Sequence, residues 1–199
     1  MKSFVSSLAL LALLGCGGGS SSSLGAQFTQ SGTPAAPRLI KLVQKSKSNA
    51  RVVVQAVIYG PDTTLDMYSF AFDVKIGDPS VVKFVDGSAV AGTALTVFAG
   101  QSIQAVAGLG TLPGGGTDNS RVVVGVTKLG GGLGNGVAGN SAAIVSLSFQ
   151  VLKQGTTTLQ LSGAPSPVVL DHNGAAIGSI TFDSATASMK GVSTGGGGY

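Results

Sequence analysis

The chain has no tryptophan and no glutamate, one cysteine, one histidine, and only 10% of its 199 residues are charged. Each scarcity closes a class of chemistry. A zinc site needs three or four His, Cys or carboxylate ligands, and His172 and Cys16 alone do not supply them. A single thiol cannot form an internal disulfide. Without tryptophan, the flat aromatic platforms that suit sugars reduce to Tyr59 and Tyr68, each expected at a sheet rim. His172 lies beside Asp171 in a turn, where adjacent side chains do not reach the base-and-orienter geometry of a triad, and no G-x-S-x-G elbow is present. The eight aspartates are spread along the chain, mostly in turn sequences that explain them as caps. Glycosidases need two carboxyls at a set separation, and no carboxylate-rich calcium loop of the EF-hand type occurs. The residues therefore point to no catalytic group, metal or cofactor, and to a binding protein rather than an enzyme.

What the chain does have is Gly, Ser, Thr, Val and Ala in a strict two-residue rhythm. Phe70, Phe72, Val74 and Ile76 alternate with Ala71, Asp73 and Lys75. Val122, Val124 and Val126 repeat the pattern, as do Val145, Leu147, Phe149 and Val151, then Leu159 and Leu161, then Ile180 and Phe182. This is the period of half-buried strands. Further strands are expected at 39–44, 52–59, 81–85, 94–98, 102–107 and 167–170. Turn signals separate them at Gly60-Pro61-Asp62, Gly77-Asp78-Pro79, Asp86-Gly87, the glycine loops 112–119 and 130–139, and Asp171-His172-Asn173-Gly174. The fold class read from this pattern is all-β, a two-sheet antiparallel sandwich. Gly134-Asn135-Gly136-Val137-Ala138-Gly139 fits the letters GxGxxG, but a strand pattern follows it. A dinucleotide site needs a helix there, so the segment reads as a glycine-rich loop.

Charge is unevenly placed. Arg38, Lys41, Lys45, Lys47 and Arg51 fall in one acid-free stretch, whereas the chain beyond residue 52 is slightly acidic. Lysines on an edge strand discourage strand addition, and the cluster reads first as such a solvated edge, second as a patch for anionic lipid or polymer. Nucleic-acid binding would need aromatic or motif support that is absent.

The N-terminus carries Lys2 and then Leu8-Ala9-Leu10-Leu11-Ala12-Leu13-Leu14-Gly15-Cys16. The apolar run is too short to span a bilayer, which takes about 20 residues, but has the length of a signal-peptide core. A small residue before the thiol resembles the lipobox of bacterial lipoproteins. That resemblance implies a signal peptide over 1–15, lipid attachment at Cys16, and an extracytoplasmic location at the outer membrane or cell surface. Residues 16–37, with Gly17-Gly18-Gly19-Ser20-Ser21-Ser22-Ser23, Pro34 and Pro37, read as a flexible linker. Residues 191–199 read as a flexible tail.

Between them, Met67 to Phe84, with its alternating strand, its Asp78-Pro79 turn and the apolar pair Val81-Val82, resembles the early core of a cohesin domain. Ala143 to Gln150, Gly155 to Leu161, and Asp171 to Phe182 resemble that family's late strands and final hairpin. The resemblance covers residues 38–190. It implies a jelly-roll sandwich of about nine strands. It also implies a non-catalytic module that binds dockerins, paired calcium-binding helical segments, through a flat sheet face. Its recognition strand places Ser69 and Ala71 outward, where the family carries larger polar side chains. Asp73 and Lys75 continue that face, so Ser69, Asp73 and Lys75 are the expected partner contacts. The alternative is a carbohydrate-binding surface module linked to polysaccharide breakdown.

Overall fold

The computed structural model describes residues 23–162 and 167–194. Cys16 and the leader 1–15 lie outside the described residues. The described chain is all strand and turn. In order the strands are β1 (Ser23–Thr29), β2 (Leu39–Ser48), β3 (Arg51–Tyr59), β4 (Asp62–Met67), β5 (Ser69–Ile76), β6 (Val82–Phe84), β7 (Val90–Ala91), β8 (Ser102–Thr111), β9 (Thr117–Leu129), β10 (Asn135–Val137), β11 (Ser141–Val151), β12 (Gly155–Ser162), β13 (Val168–Leu170), β14 (Thr181–Phe182) and β15 (Ala187–Thr194).

The all-β, two-sheet reading holds. One sheet runs β1-β15-β12-β5-β9-β8, with β13 beside β5. The other runs β14-β2-β3-β11-β6, with β7 beside β11. Pairing is antiparallel except for the short parallel contact of β14 with β2. The alternating apolar residues of both sheets point at each other. Phe70, Phe72, Val74, Ile76, Val122, Val124, Val126, Leu159 and Leu161 meet Val52, Val54, Ala56, Ile58, Val145, Leu147 and Phe149 in one cluster. Each such side chain contributes about 1.5–3 kcal/mol when fully buried. Phe84 and Phe149 pack edge to face, with ring centroids 5.9 Å apart.

The strand count differs from expectation, fifteen rather than about nine. Part of the excess is short, since β7 and β10 have two or three residues each, and β4 occupies a stretch where no strand was expected. β1 and β15 account for the rest, at the two ends of the described chain. The predicted linker 16–37 contains β1, which pairs residue for residue with β15 from Ser23↔Thr194 to Thr29↔Ser188. The predicted tail 191–199 contributes the last four residues of β15. Neither strand stands out in the hydrophobic rhythm, because their inward positions are Ala26, Ala187, Met189 and Gly191. A side chain at Gly191 would place its Cβ 2.2 Å from the Lys153 carbonyl, so the close approach of β15 requires glycine there. The segment after β1 is fastened too. Ser31 and Thr33 donate their hydroxyls to Asp183, Thr33 at 2.8 Å, and the buried Lys41 ammonium donates to the Thr33 carbonyl.

Residues 94–98 are not a strand. Ala94 and Leu95 plug the core while Val97 and Phe98 are exposed, and the Thr96 amide is held by the Asn135 side chain at 2.8 Å. The glycine loop 130–139 contains β10, which pairs β4. Gly134 and Gly136 lie so close to β4 that Cβ atoms there would sit 2.3 Å from Asp66 Oδ1 and 2.4 Å from the Asp62 carbonyl. The first two glycines of the GxGxxG letters thus serve strand contact, whereas a Cβ at Gly139 would meet nothing within 4 Å.

Candidate functional site: the outer face of the larger sheet

Because Phe70, Phe72, Val74 and Ile76 turn inward, the pleat sends Ser69, Ala71, Asp73 and Lys75 of β5 outward. Register extends that face across the sheet. Ser69 opposes Thr127 and then Gln104; Ala71 opposes Gly125 and then Val106; Asp73 opposes Val123 and then Gly108; Lys75 opposes Arg121. The centre of the face is therefore low and apolar, made of Ala71, Gly108 and Gly125 with Val106 and Val123 standing above it. Those two valines are 54% and 42% exposed, and Leu129, further along β9, is 44% exposed. Polar groups bound the strip at both ends, Ser69, Thr127 and Gln104 at one, and Asp73, Arg121, Lys75 and Gln160 at the other.

All three expected contact residues lie on this face, with different availability. Lys75 is exposed and Ser69 half-buried. Asp73 points outward but is buried, because Arg121 of β9 lies over it with Nε 2.5 Å from Oδ2. Of the pair, Arg121 is the more exposed side chain, at 28% against 6%. Sequence reasoning missed Arg121, Val106 and Val123. The signal was present for β9: with Val122, Val124 and Val126 inward, residues 121, 123 and 125 must face out.

The remaining titratable groups are engaged in structure. Asp62, Asp78 and Asp118 share one device. In each, Oδ1 accepts both the amide and the hydroxyl of the residue two positions on, Thr64, Ser80 and Ser120, at 2.5–3.0 Å. The hydroxyl first and the amide second hold these carboxyls below their ordinary value. Asp171 caps its own turn through the amides of Asn173 and Ala175. His172, expected as a turn residue, reaches out of that turn and pairs through Nδ1 with Asp66 of β4. Asp66 is held below its ordinary value: burial opposes ionisation, but His172 and the Gly134 amide outweigh it. Lys128 is buried over the Phe98 and Tyr68 rings and donates to the Leu133 carbonyl at 2.9 Å. Burial lowers its pKa, with Asp66 acting in the opposite sense. Tyr68, half-buried, thus has a cation over one ring face. Among the described residues no three His, Cys or carboxylate groups converge as a metal cage.

No protein-family profile matches the sequence, and no curated protein matches it. Solved structures do. The second type II cohesin module of the adaptor ScaA scaffoldin of Acetivibrio cellulolyticus is 12% identical, with a TM-score of 0.45 over 81% of this chain and 86% of that one. A type II cohesin domain from the cellulosome of the same organism is 17% identical, with a TM-score of 0.44 over 77% and 95%. The cohesin module of a family 33 glycoside hydrolase from Clostridium perfringens is 11% identical, with a TM-score of 0.41 over 87% and 97%. Values of this size transfer no partner and no contact residue to this chain.

Proposed function

We propose that this sandwich is a non-catalytic binding module that seats a protein partner on the outer face of β5, β9 and β8. The observation that carries the reading is the exposed apolar strip of Ala71, Gly125, Val106 and Val123 inside an otherwise polar rim. Solvated sheet faces alternate apolar-in with polar-out. An outward valine pair on adjacent strands departs from that rule where a partner removes it from water. The low relief suits a helical face laid across the strands, with Lys75, Arg121 and Gln104 as hydrogen-bonding edges. The sequence resemblance to cohesins names a partner of that shape, a dockerin-type helical pair. The Cys16 context adds a lipid anchor and an extracytoplasmic setting.

The test is calcium-dependent capture of dockerin-type helical pairs by the parent protein and by V106D/V123D. The parent is expected to retain at least one, and the variant to lose it by a factor of about 100, since each aspartate replaces a buried apolar contact with an unpaired charge. Equal capture by both would remove this face from consideration. Labelling with radioactive palmitate is expected to mark the parent and not C16A; equal labelling would remove the anchor.

A further inference from the structure

The second sheet has its own charge signature. Its strands β2, β3, β6, β7, β11 and β14 carry Lys41, Lys45, Lys47, Arg51 and Lys83 and not one acidic residue. Lys41 is spent internally, on the Ser31 and Thr33 carbonyls, and Arg38, just before β2, is spent on Asp62. Lys45, Lys47, Arg51 and Lys83 have no ion-pair partner among the described residues. Register then brings two of them together. Gln150 of β11 lies opposite Arg51 on one side and opposite Lys83 on the other. Strands are about 4.8 Å apart, so two cations flank one amide within roughly 10 Å. Like charges so placed repel.

This row forms one wall of a cleft of about 790 Å³. Ser80 and Asn119 add hydroxyl and amide groups; Leu109, Leu152 and Pro79 add an apolar floor; Asp86 is the single carboxylate of the lining. Beyond the cleft the same face continues as Ser148, Ser146, Gln55 and Lys45, with Gln55 and Lys45 converging on the Ser146 hydroxyl at 3.1 and 3.4 Å.

We propose that this cleft and the polar row leading from it bind a carboxylate-bearing polysaccharide, a polyuronate. One sugar carboxylate sits between Arg51 and Lys83. Gln150 and Asn119 bond ring hydroxyls, and Leu109 and Leu152 meet an apolar sugar edge. A planar array of anionic headgroups would leave the concave, partly apolar cleft unfilled, which is why a chain ligand fits better than a membrane. The basic row lies on the opposite sheet from the proposed protein-binding face, Leu109 and Asn119 join the cleft from the ends of β8 and β9, and the proposal does not depend on that reading.

The experiment is native affinity electrophoresis of the full chain in gels containing polygalacturonate or neutral hydroxyethyl cellulose, alongside sedimentation with vesicles of anionic phospholipid. Expected are retardation by polygalacturonate alone, its loss at 1 M salt, where the Debye length is about 3 Å, and about tenfold weaker retardation for K83Q and for R51Q. K190Q removes the same charge from the other sheet and is expected to match the parent, which separates the site from bulk positive charge. Thermal melts show whether each variant is folded, and K83R, which keeps the charge, is expected to restore retardation. Three results would each overturn the proposal: no retardation by polygalacturonate, equal weakening by K190Q and K83Q, or vesicle binding without retardation.

Discussion

Asp183→Ala isolates the contribution of the clasp that fastens residues 30–37 to the body. The Asp183 carboxylate is 6% exposed. It accepts the Ser31 hydroxyl on one oxygen and, on the other, the Thr33 hydroxyl at 2.8 Å and the Ala185 amide at 3.1 Å. Hydrogen bonds to a charged acceptor contribute about 1.5–3 kcal/mol each, but the carboxylate gave up hydration to make them. Truncation also deprives the buried Lys41 of its nearest negative field. A net loss of about 3 kcal/mol follows, or about 6–12 °C in Tm at 2–4 °C per kcal/mol for a chain of this size. The pH dependence has a definite sign. Burial raises the Asp183 pKa, but the Ser31 and Thr33 hydroxyls outweigh it and leave it lowered. Its stabilisation is therefore full above the unfolded value of about 3.9 and is lost as pH falls through the lower folded value. Differential scanning calorimetry of parent and D183A at neutral and acidic pH reads both effects. A D183A melt within 2 °C of the parent at neutral pH, or a gap that widens on acidification, would refute the reasoning.

Other expectations follow from the same contacts. G136A is expected to cost about 2 kcal/mol or more through overpacking against β4, whereas G139A, whose added Cβ meets nothing within 4 Å, is expected to match the parent in chemical denaturation. Equal effects would show that the two glycines do not differ as β4 contact requires. H172A breaks a partly exposed pair with Asp66 and is expected to change stability by less than about 1 kcal/mol. Its effect should instead appear as faster amide exchange in the 171–174 turn, and unchanged exchange there would deny the pair a tethering role.

Legibility from sequence followed side-chain size. β5, β9 and β11 announce themselves because phenylalanine, valine and leucine alternate with polar residues. β1 and β15 bury alanine, methionine and glycine, so their rhythm is faint; β1 is held to its sheet by β15, and β15 lies between β1 and β12. The outward face of β5 was readable from parity alone, and Ser69, Asp73 and Lys75 all lie on it. The burial of Asp73 was not readable, because it requires Arg121, 48 positions away and brought near only by the β5–β9 register. The Ser31–Asp183 contact spans 152 positions, and a glycine- and serine-rich approach to the sandwich looks like a tether until the buried carboxylate waiting for it is known. The Arg51–Gln150–Lys83 row was invisible for the same reason, since its members come from three strands.

Ser23 and Thr194 are cross-strand partners at one corner of the sandwich. The described chain thus enters and leaves the sandwich at a single point. Tension between those two residues would open the β1–β15 seam from its end, one rung at a time. The seam has seven rungs, and Ala26 and Met189 within it already belong to the hydrophobic interior. It is the outermost pairing of its sheet, and β12 stands between it and the strands β5, β9 and β8.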